Sequence, residues 1–260
     1  MNMASISGFV LCLGIILMGI ATNGGIGTIL NFLHLPSALV TFGGAFLAVL
    51  ATSDSFADYL SGLKGFAEAL KKPKVKTDDI WNQILELSEI ARKEGLLALE
   101  ERTAQMEDGF MQKGIRLMVD GSDPELVRDI LETDLMHVEA KNHVKIAFWE
   151  DLGSYAPAWG MVGTLLGLIN MMRSMQSDVG SVGSGMSLAL ITTLYGSVLA
   201  NWICIPIVRK MKKNNDNEVL LMELTIEGIL SIQAGENPQV IKEKMRSFLT
   251  KREELEQEAA

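Results

Sequence analysis

The sequence predicts an all-α integral membrane protein, with four transmembrane helices and a cytoplasmic helical domain. Three observations carry this. Across 260 residues there is no charged side chain from Met1 to Ser53, and from Gly153 to Val208 only Arg173 and Asp178 are charged. Each block has room for two spans at roughly 20 residues per crossing, and a bilayer selects such blocks because a charge at its centre is costly. The remaining segments carry nearly all of the 23 basic and 32 acidic residues. Their apolar residues recur at helical spacing, and no segment alternates with the period of a strand.

In chain order, the first span runs from about Ser5 to Ala21 and stops at "TNGGIGT", a glycine-rich breaker. The second runs from about Pro36 to Ala51, with Pro36 in a first helical turn, where its missing N–H is no loss. These two make a transmembrane hairpin, residues 1–53, and residues 54–151 make the cytoplasmic helical domain. There, "DDIWNQILELSEIARKEGLLALEERT" sets Ile80, Ile84, Leu87, Ile90 and Leu97 at helical spacing, with Asp78 and Asp79 favouring its N-terminus. "SDPELVRDILETDLMHVEAKNHVKIAFWEDLG" opens on an Asp-Pro helix start and runs on towards the third span. The third span (about Tyr155 to Met172) and the fourth (about Ser184 to Val208) form a second hairpin, residues 152–208. Residues 209–260 give cytoplasmic C-terminal helices broken at Ala234 to Pro238, then a charged, frayed end.

Orientation follows from the basic residues beside the spans. Lys64, Lys71, Lys72, Lys74, Lys76, Lys141, Lys145, Arg209, Lys210, Lys212 and Lys213 all fall on one side, and the opposite turns offer only Arg173. The positive-inside rule then places both termini and the central loop in the cytoplasm. Trp149 and Trp202 suit an interfacial aromatic belt. The N-terminal block has no basic n-region, so it reads as a span and not a secretory signal.

Several function classes are excluded. Cys12 and Cys204 sit singly in apolar spans and read as buried free thiols, with no disulfide or zinc spacing. His137 and His143 are six apart, which does not align them as metal ligands on one helix face, so no metal or cofactor is expected. The glycines of "GMVGTLLG" lack the strand and lysine of a nucleotide loop. A net charge of −9 argues against nucleic acid. Nothing reads as an enzyme.

The last two spans carry the informative pattern. Gly160, Gly163 and Gly167 line one side of the third span, and Ala189, Thr193, Ser197 and Ala200 form a matching stripe on the fourth. Small stripes let membrane helices approach closely. Thr164, Thr192 and Thr193 add hydroxyls at comparable depth on both arms. Neighbouring helical residues point about 100° apart, so Thr192 and Thr193 cannot both centre on one narrow face. An ion crossing here would need oxygens to replace its water and a carboxylate to relay it, and these spans contain neither Asp nor Glu at mid-depth. An ion path therefore demands a partner chain that supplies the carboxylate.

The blocks "ARKEGLLALE", "FMQKGIRLMVDG", "APAWGMVGTLLGLI", "ALITTLYG" and "IEGILSIQAGENPQVI", in this order, resemble the A subunit of the bacterial flagellar stator, the MotA/PomA family. The resemblance implies a homopentamer in the inner membrane around a dimer of MotB/PomB-type B subunits, each supplying the aspartate. It implies that H+ or Na+ flow turns the ring and drives a FliG-type rotor switch protein. Arg92 and Glu100 match the charged rotor-facing pair, with Lys93 and Glu101 beside them. Pro157 and Pro206 match the prolines at the cytoplasmic mouth of the channel, where a missing N–H gives a kink or hinge unless they simply mark helix ends. Sodium-type relatives carry threonines at the positions of Thr164, Thr192 and Thr193, which favours Na+. His34 stands where those relatives often have an aspartate. The rival readings are an ExbB/TolQ-type motor subunit, which has three spans, and a non-conducting membrane scaffold.

Overall fold

The computed structural model describes residues 3–71, 77–103, 106, 108–175 and 182–247. Lys72, Lys74, Lys76, Asp178 and the charged end fall outside these. Among the described residues the chain is helical and contains no strand. Its helices are α1 (Met3–Gly24), α2 (Leu35–Thr52), α3 (Phe56–Ala69), α4 (Thr77–Glu94), α5 (Leu99–Thr103), α6 (Gly109–Val119), α7 (Pro124–Ser174), α8 (Val182–Gln233) and α9 (238–247). Three are long and apolar enough to cross a membrane, namely α2 and the apolar parts of α7 and α8, and α1 adds a shorter apolar stretch, Ile6–Thr22.

The starts and stops follow local chemistry. Gly25 ends α1 with φ 80, a conformation that a side chain would strain. Ser55 caps α3 by accepting from the Asp58 N–H at 3.1 Å, and Asp108 caps α6 by accepting from the Phe110 N–H at 2.9 Å. Asp123 accepts from the Glu125 N–H at 2.9 Å and Pro124 opens α7, as the Asp-Pro pair predicts. The fourth span and the first C-terminal helix are one element, α8. A π-helical turn at Leu199–Cys204 interrupts it without ending it.

The helices pack into two units. The first comprises residues 1–72 and 142–213, so it includes α3 and the stretch 142–151 together with the apolar helices. The reason is packing. A Cβ on Gly65 would lie 2.9 Å from Met211, the glycine at 62 seats Phe148, and the Gly62 carbonyl accepts from Trp149 Nε1 at 2.9 Å. Trp149 is thus buried against α3. Trp202 is half-buried and donates to the Phe9 carbonyl at 3.2 Å, tying α8 to α1. Cys204 is buried as expected, but Cys12 is exposed, because α1 presents most of its surface outward.

The second unit comprises residues 73–141 and 214–260. Its core joins Ile80, Ile84 and Leu87 of α4, Ile115 and Met118 of α6, Leu131 of α7, Leu224 and Ile229 of α8, and Ile241 and Met245 of α9. The helical spacing read from the sequence holds through Ile90 and fails at Leu97. Gly95, at φ 87, ends α4 and shifts the register, so Leu99 enters the core and Leu97 faces out.

Candidate functional site

The last two spans meet along the glycine face of α7. Gly160, Gly163 and Gly167 are all buried. A Cβ on Gly167 would lie 2.6 Å from the Gly185 carbonyl oxygen and 2.7 Å from the Ala189 nitrogen. One on Gly163 would lie 2.6 Å from Thr192 Cβ, and one on Gly196 would meet the Ala156–Pro157 backbone. The facing stripe on α8 is therefore Gly185, Ala189, Thr192 and Gly196, all buried. The stripe read from the sequence mixed two faces: Ala189 and Ala200 are buried, whereas Thr193 and Ser197 are exposed. Spacings of four, three and four from Gly185 trace the true packing face.

This register sorts the three threonines. Thr192 is fully buried against Gly163, and its Oγ1 donates within its own helix to Leu188 (3.0 Å) or Ala189 (2.9 Å). Its carbonyl accepts from Thr41 of α2 at 3.3 Å. Thr164 and Thr193 instead meet, with their hydroxyl oxygens 2.5 Å apart. Thr164 Oγ1 lies 3.0 Å from both the Gly160 and Ala189 carbonyls, and Thr193 Oγ1 lies 3.3 Å from Ala189. At 2.5 Å one hydroxyl donates to the other, and the second proton goes to an inward carbonyl, which leaves oxygen lone pairs for a ligand on the open side. Thr193 is exposed there, beside the outward Leu190 and Ser197 of α8 and Met161 and Leu165 of α7. Such a pair can replace part of an ion's water shell. It cannot act as a proton-storing base, because a hydroxyl does not titrate near neutrality.

Pro157 and Pro206 both lie inside continuous helices, so neither marks a helix end. Pro157 sits where Gly196 of α8 packs on the Ala156–Pro157 backbone, and Pro206 lies two residues past the end of the π-helical turn, whose wider ring accommodates the missing N–H. Both are exposed.

A polar cluster at the start of α2 was not foreseen. His34 caps the helix, with Nδ1 2.8 Å from Ser37 Oγ, and its backbone N–H donates to the Tyr195 hydroxyl at 3.2 Å. That hydroxyl donates to the Phe32 carbonyl, and Ser37 Oγ lies 3.4 Å from the Leu188 carbonyl. Ser37, Thr41 and Gly44, at spacings of four and three, were the sequence signal for this face of α2.

In the second unit, Arg92 and Lys93 occupy the last turn of α4, and Glu100 and Glu101 the first turn of α5, on either side of the turn 95–98. All four are exposed, and Lys93 pairs with Glu89 at 3.5 Å. His137 and His143 are exposed, and among the described residues no group of three His, Cys, Asp or Glu could hold a metal.

Residues 102–224 match the model of the MotA/TolQ/ExbB proton channel family. Motility protein A of Treponema phagedenis is 38% identical over 260 residues, covering 100% of this chain and 98% of that protein. The solved structure of C. jejuni MotAB superposes with a TM-score of 0.87 at 27% identity, covering 95% of this chain and 96% of that one. The flagellar MotAB stator complex of Bacillus subtilis gives 0.84 at 27%, covering 96% and 97%. With the same apolar helices and an end-to-end match of this quality, the chain belongs to the motility protein A family of flagellar stator subunits.

Proposed function

We propose that this ion-conducting stator subunit passes Na+ along the open face of α7 and α8, between Thr164 and Thr193 and a carboxylate supplied by a MotB-type partner. The observation that carries the proposal is the hydroxyl pair, 2.5 Å apart on an exposed apolar face, with one proton held between the two oxygens and the other available to an inward carbonyl. A partly dehydrated Na+ gains from two adjacent hydroxyl oxygens, whereas a proton relay needs only a carboxylate and a water wire. The partner is required because no Asp or Glu lies at mid-depth in either span. Thr192, packed on Gly163, serves ion choice by setting how closely the two spans approach and hence where Thr164 meets Thr193.

In this reading four spans cross the inner membrane, both termini and residues 54–151 lie in the cytoplasm, and five copies surround a B-subunit dimer in membrane lipid. The exposed Arg92, Lys93, Glu100 and Glu101 face a FliG-type rotor protein. Pro157 and Pro206 mark the cytoplasmic mouth, where they let the helices flex as the ion leaves. The chain acts as a channel subunit and not as an enzyme.

The test is swimming speed with external Na+ replaced by K+ at constant pH and membrane potential. Speed is expected to collapse in K+. Unchanged motility would show that the ion is H+.

A further inference from the structure

The turn between α4 and α5 exposes a leucine where lipid cannot account for it. Leu96 packs against the core, Leu99 is fully buried, and Leu97 is 73% exposed, the most exposed large apolar side chain among the described residues. Most other outward apolar side chains lie on the apolar helices; Phe56, Leu60 and Phe66 of α3, Leu126 and Met136 of α7 and Val240 of α9 also face outward, each less exposed than Leu97. Leu97 lies instead among Arg92, Lys93, Glu94, Glu100, Glu101 and Arg102. The same unit pairs its charges elsewhere: Glu227 meets Lys244 at 2.6 Å and Arg128 at 3.3 Å, and Lys113 meets Asp134 at 2.5 Å. Around Leu97, among the described residues, only Lys93 has an ion-pair partner.

We propose that Leu97 is the apolar anchor of the rotor-facing surface. This rests on the rotor reading of the four charges given above. The partner it fits is a protein face with a shallow apolar depression, acidic on the side that meets Arg92 and Lys93 and basic on the side that meets Glu100 and Glu101. The balance of charge around the leucine carries the identification: Arg92 and Lys93 outnumber Glu94 before it, and Glu100 and Glu101 outnumber Arg102 after it, so the complementary face must reverse that balance. An apolar side chain seated at the centre of a charged rim excludes water, and this strengthens the rim's ion pairs. Gly95 holds the turn in a conformation open only to glycine, so the anchor is presented without a further ordering cost on docking.

The test uses the full chain with its B subunit in cells, carrying Leu97→Ser or Leu97→Met. Leu97→Ser is expected to leave the purified complex's size and ion conduction unchanged while shortening the dwell time of fluorescent stators at motors by about tenfold. Leu97→Met should retain wild-type dwell time. An unchanged dwell time in Leu97→Ser overturns the anchor, and so does a smaller complex, which would place Leu97 between copies of this chain. A paired reversal, Arg92→Glu with Glu100→Lys, separates the two readings. If the reversal impairs engagement and Leu97→Ser does not, only the anchor falls; if neither does, the rotor reading falls with it.

Discussion

A hydroxyl in an apolar helix finds a carbonyl one turn back, so its remaining lone pairs decide what else it can do. Thr192 turns those lone pairs and its methyl into a closed contact with Gly163, while Thr193 shares Ala189 with Thr164 and keeps an open side. The two positions therefore predict different phenotypes. Thr193→Ala removes an oxygen from the open face and disturbs little packing. It is expected to abolish or cripple motility, with normal amounts of complex in the membrane and flagella assembled. Thr192→Ala opens a void between the spans and should cost about 1–2 kcal/mol, read as a lower melting temperature of the purified complex. Equal motility in Thr193→Ala and wild type would remove Thr193 from the ion path.

At the scale of elements, glycine and charge do complementary work. In the membrane unit, Gly167 and Gly185 let α7 and α8 approach to backbone contact, and the energy comes from packing over that close surface. In the second unit, Glu227 of α8 joins Arg128 of α7 and Lys244 of α9. Burial alone would push the Glu227 carboxyl up, but Lys244 and then Arg128 outweigh it and hold it below the usual carboxylate value. Lys244 is held up, chiefly by its bond to Glu227. A depressed carboxylate contributes stability above its unfolded value, about 4.3, and loses it as pH falls through the folded one. A raised lysine contributes below its unfolded value, about 10.4, and loses it as pH rises through the folded one. Melting temperature should thus plateau across neutral pH and fall at both ends. Glu227→Gln should lower the plateau and flatten both limbs, and a parallel fall in mutant and wild type would count against the cluster. Much of this architecture was legible in the sequence, because uncharged blocks, Asp-Pro and isolated glycines act locally. The exact faces were not. Thr193 and Ser197 were grouped with Ala189 because spacing alone cannot say which side of a helix its partner takes, and Leu97 fitted the helical period until Gly95 turned the chain.

For the whole molecule, the decisive feature is a division of chemistry between chains. In the proposed path the spans offer an ion oxygen ligands at Thr164 and Thr193, yet they carry no carboxylate at mid-depth, and in residues 153–208 the charged residues are Arg173 and Asp178 alone. Two hydroxyls replace only part of a cation's hydration shell. On the proposed path the other outward neighbours are Met161, Leu165 and Leu190, which cannot coordinate an ion, and Ser197 with one further hydroxyl, so the barrier in hydrocarbon stays largely in place. The chain reconstituted alone in vesicles is therefore expected to pass Na+ and H+ at the rate of empty vesicles, measured with ion-sensitive dyes under an imposed potential. Adding a B subunit with its span aspartate should raise the flux, and the same subunit with that aspartate changed to asparagine should not, because the amide supplies an oxygen but no charge to offset the ion's. A robust current from this chain without any partner would mean that the path is complete within it, and the requirement for a second chain would fall.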